Sequence, residues 1–175
     1  RSAVAVPLVL RRDAGSAFST SANPSGEWSY GWSVTKAGRF ILNQVSGRDA
    51  NQIDYWVAPC GANLTHNATT GTIVTTSGQI TYAPNQLSLH PGSTNEYCIV
   101  RWTAPADGMI RVDVTFSGHN SSSGSRQKDV AVRCNQSELF SATITGYGDP
   151  QTYGGVLAVR QGDTLGVSTV STVNT

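Results

Sequence analysis

The feature that most constrains this chain is a hydrophobic period of two. Over 109–116, Ile110, Val112, Val114 and Phe116 share one parity, and Arg111, Asp113 and Thr115 take the other. Successive strand side chains point to opposite faces, so this pattern describes an antiparallel strand with one buried face. Trp28, Tyr30, Trp32 and Val34 alternate with small or polar residues in the same way. So do Val130, Val132 and Cys134, and then Leu165, Val167 and Thr169. Further strands are expected near 2–10, 38–45, 52–57, 71–82, 86–90, 96–103, 138–145 and 153–160. No segment carries the 3.6-residue stripe of an amphipathic helix.

Turn signals separate these segments: Asn23-Pro24-Ser25-Gly26, Ser46-Gly47-Arg48-Asp49, His90-Pro91-Gly92, Pro105-Ala106-Asp107-Gly108, the run 118–124, and Gln161-Gly162-Asp163. Many short strands punctuated in this way predict an all-β antiparallel sandwich or jelly roll. A length of 175 residues fits one such domain. We expect an apolar N-terminal arm over 1–15 and a single sandwich over 16–175.

The arm is unusual. Ala3-Val4-Ala5-Val6-Pro7-Leu8-Val9-Leu10 is apolar at both parities. Pro7 has no N–H to give a ladder, which suits an edge strand or a bulge. The arm either completes its own sandwich or adds to an open sheet edge of a neighbour by β-augmentation. In the second case Val4, Val6, Leu8 and Leu10 form an assembly strand, and the chain self-associates with identical subunits.

Charge narrows the partners. Charged residues make up 13% of the chain, against a usual ~25%. Ser, Thr, Asn and Gly take their place, which points to an extracellular or cell-surface setting. Basic and acidic residues number 12 and 11, with no basic run longer than Arg11-Arg12. The phosphate-contacting stripe of a nucleic-acid binder is therefore missing. No apolar run reaches the ~18–20 residues of a membrane-spanning helix. The chain opens on Arg1 without an initiator Met, as expected of a trimmed chain or of an exported protein after signal-peptide removal.

Three cysteines, Cys60, Cys98 and Cys134, cannot all pair within one chain. Cys98 and Cys134 fall on inward parities, and Cys60 follows Pro59 in an expected loop, so the disulfide candidates stay open. Four sequons, at Asn63, Asn67, Asn120 and Asn135, are candidate N-glycosylation sites, three of them in expected loops or turns.

At Asn23-Pro24-x-Gly26-x-Trp28-Ser29-Tyr30-Gly31-Trp32 the chain begins to match a known pattern. It continues with Leu89-His90-Pro91-Gly92, Val100-Arg101-Trp102-Thr103-Ala104-Pro105-Ala106-x-Gly108, Phe116-x-Gly118, Asp129-Val130-x-Val132 and Gly162-Asp163-Thr164. Over roughly residues 23–166 this resembles a largely uncharacterised β-sandwich module of exported and cell-surface proteins, often found in bacterial proteins with C-terminal sorting signals. The resemblance implies export and a sandwich, and no catalytic residue. In that module another strand follows the Gly-Asp-Thr turn. The resemblance therefore implies that the arm replaces it, in its own subunit or the next. Cys98 and Cys134 stand where the module has apolar residues. The order of aromatic strand, turn and alternating strand over 102–116 is also similar to jelly-roll carbohydrate-binding modules.

No set of residues composes a catalytic centre. There is no Gly-x-Ser-x-Gly elbow. His66, His90 and His119 lack a metal-ligand spacing, so neither metal nor cofactor is expected. Asp113 and Asp129 take outward parities, and Asp107 and Asp163 lie in turns. Asp149 is a lone acid, too few for Ca²⁺. Trp28, Trp32 and Trp102 share the parity of a core face. Tyr55 and Trp56 precede a loop and are the candidate exposed platform for a glycan, since aromatic faces stack on sugars. Arg101 sits at a half-buried position and needs an acceptor, such as Glu27, Asp54 or a backbone carbonyl. His90 is expected to fix the turn at Pro91-Gly92. The chain thus reads as a non-catalytic extracellular structural or adhesive subunit that assembles through its arm and carries glycans. The alternative is a carbohydrate-binding module of a larger secreted protein.

Overall fold

A computed structural model of the protein describes residues 12–75, 78–121 and 127–171. The arm with Val4, Val6, Leu8 and Leu10 lies outside the described residues. Within them the chain is all-β: β1 (Trp28–Ser33), β2 (Ile41–Leu42), β3 (Val45–Arg48), β4 (Asp54–Val57), β5 (Asn63–His66), β6 (Ile73–Val74), β7 (Thr81–Tyr82), β8 (Leu87–His90), β9 (Tyr97–Thr103), β10 (Gly108–Phe116), β11 (Lys128–Cys134), β12 (Ser137–Ile144), β13 (Gln151–Val159) and β14 (Thr164–Ser171).

The large sheet has the order β12-β11-β14-β9-β1-β2, and the small sheet the order β3-β4-β5-β8. β10 and β13 form a separate two-stranded ribbon, and β6 and β7 a short hairpin. Every ladder is antiparallel. The large sheet is one layer of a sandwich. The small sheet and the ribbon lie side by side over its inner face.

The alternation seen in the sequence decides which face is inner. Trp28 is opposite Trp102, Tyr30 opposite Val100, and Trp32 opposite Cys98. Val100 is opposite Val167, which is opposite Val132. These residues make one apolar face that meets Trp56, Leu64 and Leu89 of the small sheet. At one end Trp102 packs against Ile110, Leu157 and Val159 of the ribbon. Further along, Phe116 stacks on Phe140 with centroids 6.3 Å apart.

Tyr30 sits at the centre of this interior, with 0% of its surface exposed. Its ring lies 4.8 Å from Phe18 and 6.3 Å from Trp56. Its hydroxyl donates to the Ala17 carbonyl at 3.3 Å. Burial pushes the phenol up to about 12. Asn23 completes the pairing of β1 here, where the two-residue β2 stops short of Tyr30. The Tyr30 N–H donates to Asn23 Oδ1 at 2.9 Å, and Asn23 Nδ2 donates to the Tyr30 carbonyl at 2.7 Å. The Asn43 N–H donates to the same carbonyl at 3.0 Å, so the Tyr30 backbone, which the two-residue β2 does not reach, keeps its partners inside the protein.

Several expectations are corrected. Trp56 is not an exposed platform: it is 5% exposed, and its indole N–H donates to the Ser19 carbonyl at 2.7 Å. Tyr55, its half-buried neighbour, takes the opposite face of β4 and covers Gly47. Residues 63–66, where no strand was expected, are β5. Its inward positions are Leu64 and His66, a single aliphatic residue and a polar one, too little apolar signal for a period-two reading. Asn67 is not a glycan acceptor in the folded chain. It is 0% exposed, and its Nδ2 donates to the carbonyls of Gly71, Tyr82 and Ala83 at 2.8, 3.1 and 3.1 Å. Asn63 and Asn120 are half-buried and Asn135 is exposed. The three cysteines are free thiols. Cys98 and Cys134 cannot bridge, because β14 lies between their strands. Arg101 finds no acid: its guanidinium carbon lies 3.8 Å from the Phe40 ring centroid. Glu27 is engaged by Arg12 and Trp102, and Asp54 by Arg48.

Leu64→Ala should cost about 2–5 kcal/mol in chemical denaturation, since it empties a fully buried site. Val34→Ala, at an exposed position, should stay within about 0.5 kcal/mol. Folded protein from a glycosylating host should carry no glycan at Asn67 by glycopeptide mass spectrometry. A modified Asn67 in folded material would contradict the buried amide.

Candidate functional site

The alternation that builds the core leaves the outer face of the large sheet with a distinct composition. Its rows are Thr143–Asp129–Val170 and Ser141–Ala131–Ser168–Ile99–Gly31. A third row holds Arg133, Gly166, Arg101 and Ser29. Small residues dominate the middle. Ala131 and Ser168 are only 2% and 4% exposed although they point away from the core. Longer neighbours and a loop rise around them.

That loop is 34–40, between β1 and β2. It can lie close to the sheet because β1 has a glycine beneath it. A Cβ at Gly31 would stand 2.3 Å from the Ile41 carbonyl oxygen and 2.7 Å from the Phe40 ring. Phe40 in turn covers the Arg101 guanidinium, a cation–π contact over a position that burial desolvates. The loop also reaches β12, at the far edge of the sheet. Lys36 Nζ lies 2.5 Å from Glu138 Oε2. Ser141 Oγ donates to Glu138 Oε1 at 2.8 Å, and Arg133 stands 3.6 Å from the same carboxylate. The loop is a strap over the sheet.

Beneath the strap lies a groove of about 340 Å³, lined by Lys36, Tyr97, Asp129, Ala131, Ser141 and Thr143 among others. Its size suits a small ligand or a short stretch of a polymer. Tyr97 gives a half-buried ring, Lys36 a cation, and Ser141 and Thr143 hydroxyls. Asp129 Oδ1 accepts from Thr143 Oγ1 at 2.7 Å. Closely spaced donors and acceptors beside one aromatic ring suit a polyhydroxylated ligand. The hydrogen bonds from Lys36 and Ser141, with the charges of Lys36 and Arg133, hold the Glu138 carboxyl below its ordinary value.

Sequence reasoning placed Asp129 correctly on an outward face but did not connect it to a site. Tyr97 and Lys36 were missed. The shared parity of Tyr97, Ile99 and Arg101 is legible in the sequence, but the neighbours that make a groove beside them come only from the pairing of β9, β14, β11 and β12. The expected pair Tyr55 and Trp56 belongs to the small sheet, away from this groove. No group of three or more His, Cys, Asp or Glu among the described residues could hold a metal ion. Asp149 instead binds Thr145 through its N–H and hydroxyl, at 3.1 and 2.8 Å.

The motifs that carry the resemblance turn out to be structural. Asn23 completes the pairing of β1, and Gly26 turns at φ 57°. His90 Nδ1 donates to the Pro91 carbonyl at 2.8 Å and fixes that turn as expected. Trp102 Nε1 donates to Glu27 at 2.7 Å.

No family model matches the chain, so the resemblance stands on those residues alone. No curated protein matches it either. Among solved structures the chain is similar to an isomalto-dextranase of Arthrobacter globiformis T6 complexed with panose, at 10% identity and a TM-score of 0.27. The match covers 85% of this chain and 21% of that one. A likeness of that degree assigns neither ligand nor activity.

The tether of the strap should respond to acid. Glu138 is depressed in the folded state, so its contribution is present above the unfolded glutamate value of about 4.3 and is lost as pH falls through the lower folded value. The amide NMR signals of 34–40 should move across that acid range in the parent protein, and Glu138→Gln should abolish the response. A parent whose strap signals are insensitive to acid would exclude the tether.

Proposed function

We propose that this chain is a non-catalytic, exported glycan-binding module, and that its binding surface is the outer face of the large sheet. The observation that carries the reading is the groove under the strap, where Tyr97 stands among the hydroxyls of Ser141 and Thr143, the Lys36 ammonium and the Asp129 carboxylate. A weakly charged surface rich in Ser, Thr and Asn agrees with export. A groove with one aromatic ring and many short polar groups favours a saccharide over an apolar ligand. Binding then rests on ring stacking and hydrogen bonds to hydroxyls, with the strap closing one side.

The assembly reading needs an acceptor edge. β8 and β10 supply candidates in the second layer, because among the described residues each has a ladder partner on one side alone.

The test is a panel of soluble oligosaccharides and insoluble polysaccharides, read by calorimetry and pull-down. Tyr97→Ala should weaken binding by roughly tenfold or more, equivalent to about 1.4 kcal/mol. Tyr55→Ala, on the other sheet, should leave it unchanged. Absence of binding across the panel, or full binding by Tyr97→Ala, would sink the proposal.

A further inference from the structure

The large sheet carries a glycine that its own geometry does not explain. Gly166 lies inside β14, between β11 and β9 in the middle of the sheet. It stands opposite Arg133 on one side and Arg101 on the other. A glycine weakens a strand, and it suits a place where the strand bulges, takes a positive φ, or lets a backbone or a ligand come close. The ladders to β11 and β9 run through Gly166 in unbroken register, so there is no bulge. Its φ is not positive. A Cβ built there would meet only Ile99 Cγ2, at an ordinary 3.7 Å, so no backbone crosses it. Gly166 therefore leaves room on the outer face that the described residues do not fill.

The two arginines beside that room differ. Arg133 is drawn toward β12, where Nη2 donates to the Gln136 carbonyl and Nη1 lies 3.6 Å from Glu138 Oε2. Among the described residues no carboxylate pairs with Arg101, and its Nε is buried without a hydrogen-bond partner. Burial lowers the Arg101 guanidinium from its ordinary value. A half-buried cation with an unused donor is unfavourable until an acceptor reaches it. Phe40 covers one face of the group, with the guanidinium carbon 3.8 Å from the ring centroid. The stacked ring fixes the guanidinium plane and leaves its N–H edge to a planar acceptor.

We propose that Arg101 and the open space over Gly166 bind the carboxylate of a sugar acid, so that the ligand of the outer face is a uronate-containing glycan. The proposal rests on the glycan-binding reading above and names its substrate class. Arg101 lies on the same face of β9 as Tyr97, four residues and about 13 Å along the strand. One extended oligosaccharide can therefore stack a ring on Tyr97 and place a carboxylate at Arg101. The two oxygens of a carboxylate match the guanidinium fork, which the single oxygen of a hydroxymethyl group cannot do. The acids of this face do not oppose it. Glu138 is paired with Lys36 and Arg133, and Asp129 lies beside Thr143, two strands away from Arg101.

The experiment is calorimetry of the full chain with oligomers of galacturonate, mannuronate and glucuronate, each compared with its carboxyl-reduced, neutral form. At least one acidic oligomer should bind tenfold or more tighter than its neutral form at low salt, and the gap should narrow as salt rises. Arg101→Gln should bring the acidic oligomer down to the affinity of the neutral one. Arg101→Lys, which keeps the charge without the fork, should restore part of the gap. Gly166→Val, a good strand residue in open space, should keep the parent's melting temperature and weaken the acidic oligomer at least tenfold. It carries the test should the Arg101 variants fail to fold. Tyr97→Ala should instead weaken both forms alike. Equal affinity for acidic and neutral forms, binding of neutral glycans alone, or an acid preference that survives in Gly166→Val and Arg101→Gln would each overturn the assignment and leave the glycan-binding reading standing. A chain that binds no saccharide would overturn both.

Discussion

The structure depends on the placement of one phenol between two sheets. Tyr30 meets Phe18 and Trp56 through its ring, Ala17 through its hydroxyl, and Asn23 through its backbone. Each contact fixes a different element. Phe18 and Ala17 bring the segment before β1 into the interior, where Ser19 also accepts the Trp56 indole N–H. Asn23 completes the pairing of β1 where the two-residue edge strand β2 stops. A fully buried polar atom must keep its partners, so the segment 17–23 cannot leave without exposing or orphaning several groups together. The two layers are thereby locked in one relative position.

The same alternation that aims Tyr30 inward aims Ser29, Gly31 and Ser33 outward. Small residues on the outer parity of β1, β11 and β14 let the 34–40 strap and the long side chains of β9 and β12 settle onto the sheet. The groove is a consequence of that size pattern. Gly31 is its most demanding element, because backbone and ring both occupy the space a side chain would need. The polar residues of β12 then face the strap, and Glu138 gathers Lys36, Ser141 and Arg133 around one carboxylate.

How much of this was legible in the sequence follows from which signals are local. The all-β class and the strands at β1, β9, β10, β11 and β14 were plain, because the first four carry three or more apolar residues at one parity and β14 continues the alternation with Leu165, Val167 and Thr169. β5 was not, because Leu64 shares its inward face with His66, and burial there depends on hydrogen bonds made with distant residues. Trp56 was misread for a related reason: its partner, the Ser19 carbonyl, is 37 residues away. Asn67 matched a glycosylation signal, yet its amide is consumed by three carbonyls. The groove was invisible, since it is made of residues from separate strands whose order in the sheet is not sequential. Asp129 was placed on the correct face, and its neighbours Tyr97 and Lys36 become evident only through the pairing of β9, β14 and β11.

The most direct test of the central claim is an NMR titration of the amide signals with an oligosaccharide that the protein retains. Shifts concentrated at Tyr97, Ala131, Ser141, Thr143 and the 34–40 strap are the predicted result. Shifts that cluster instead at Trp28 and Asn85, or that fall on the small sheet around Tyr55, would contradict the assignment of the outer face of the large sheet as the binding surface.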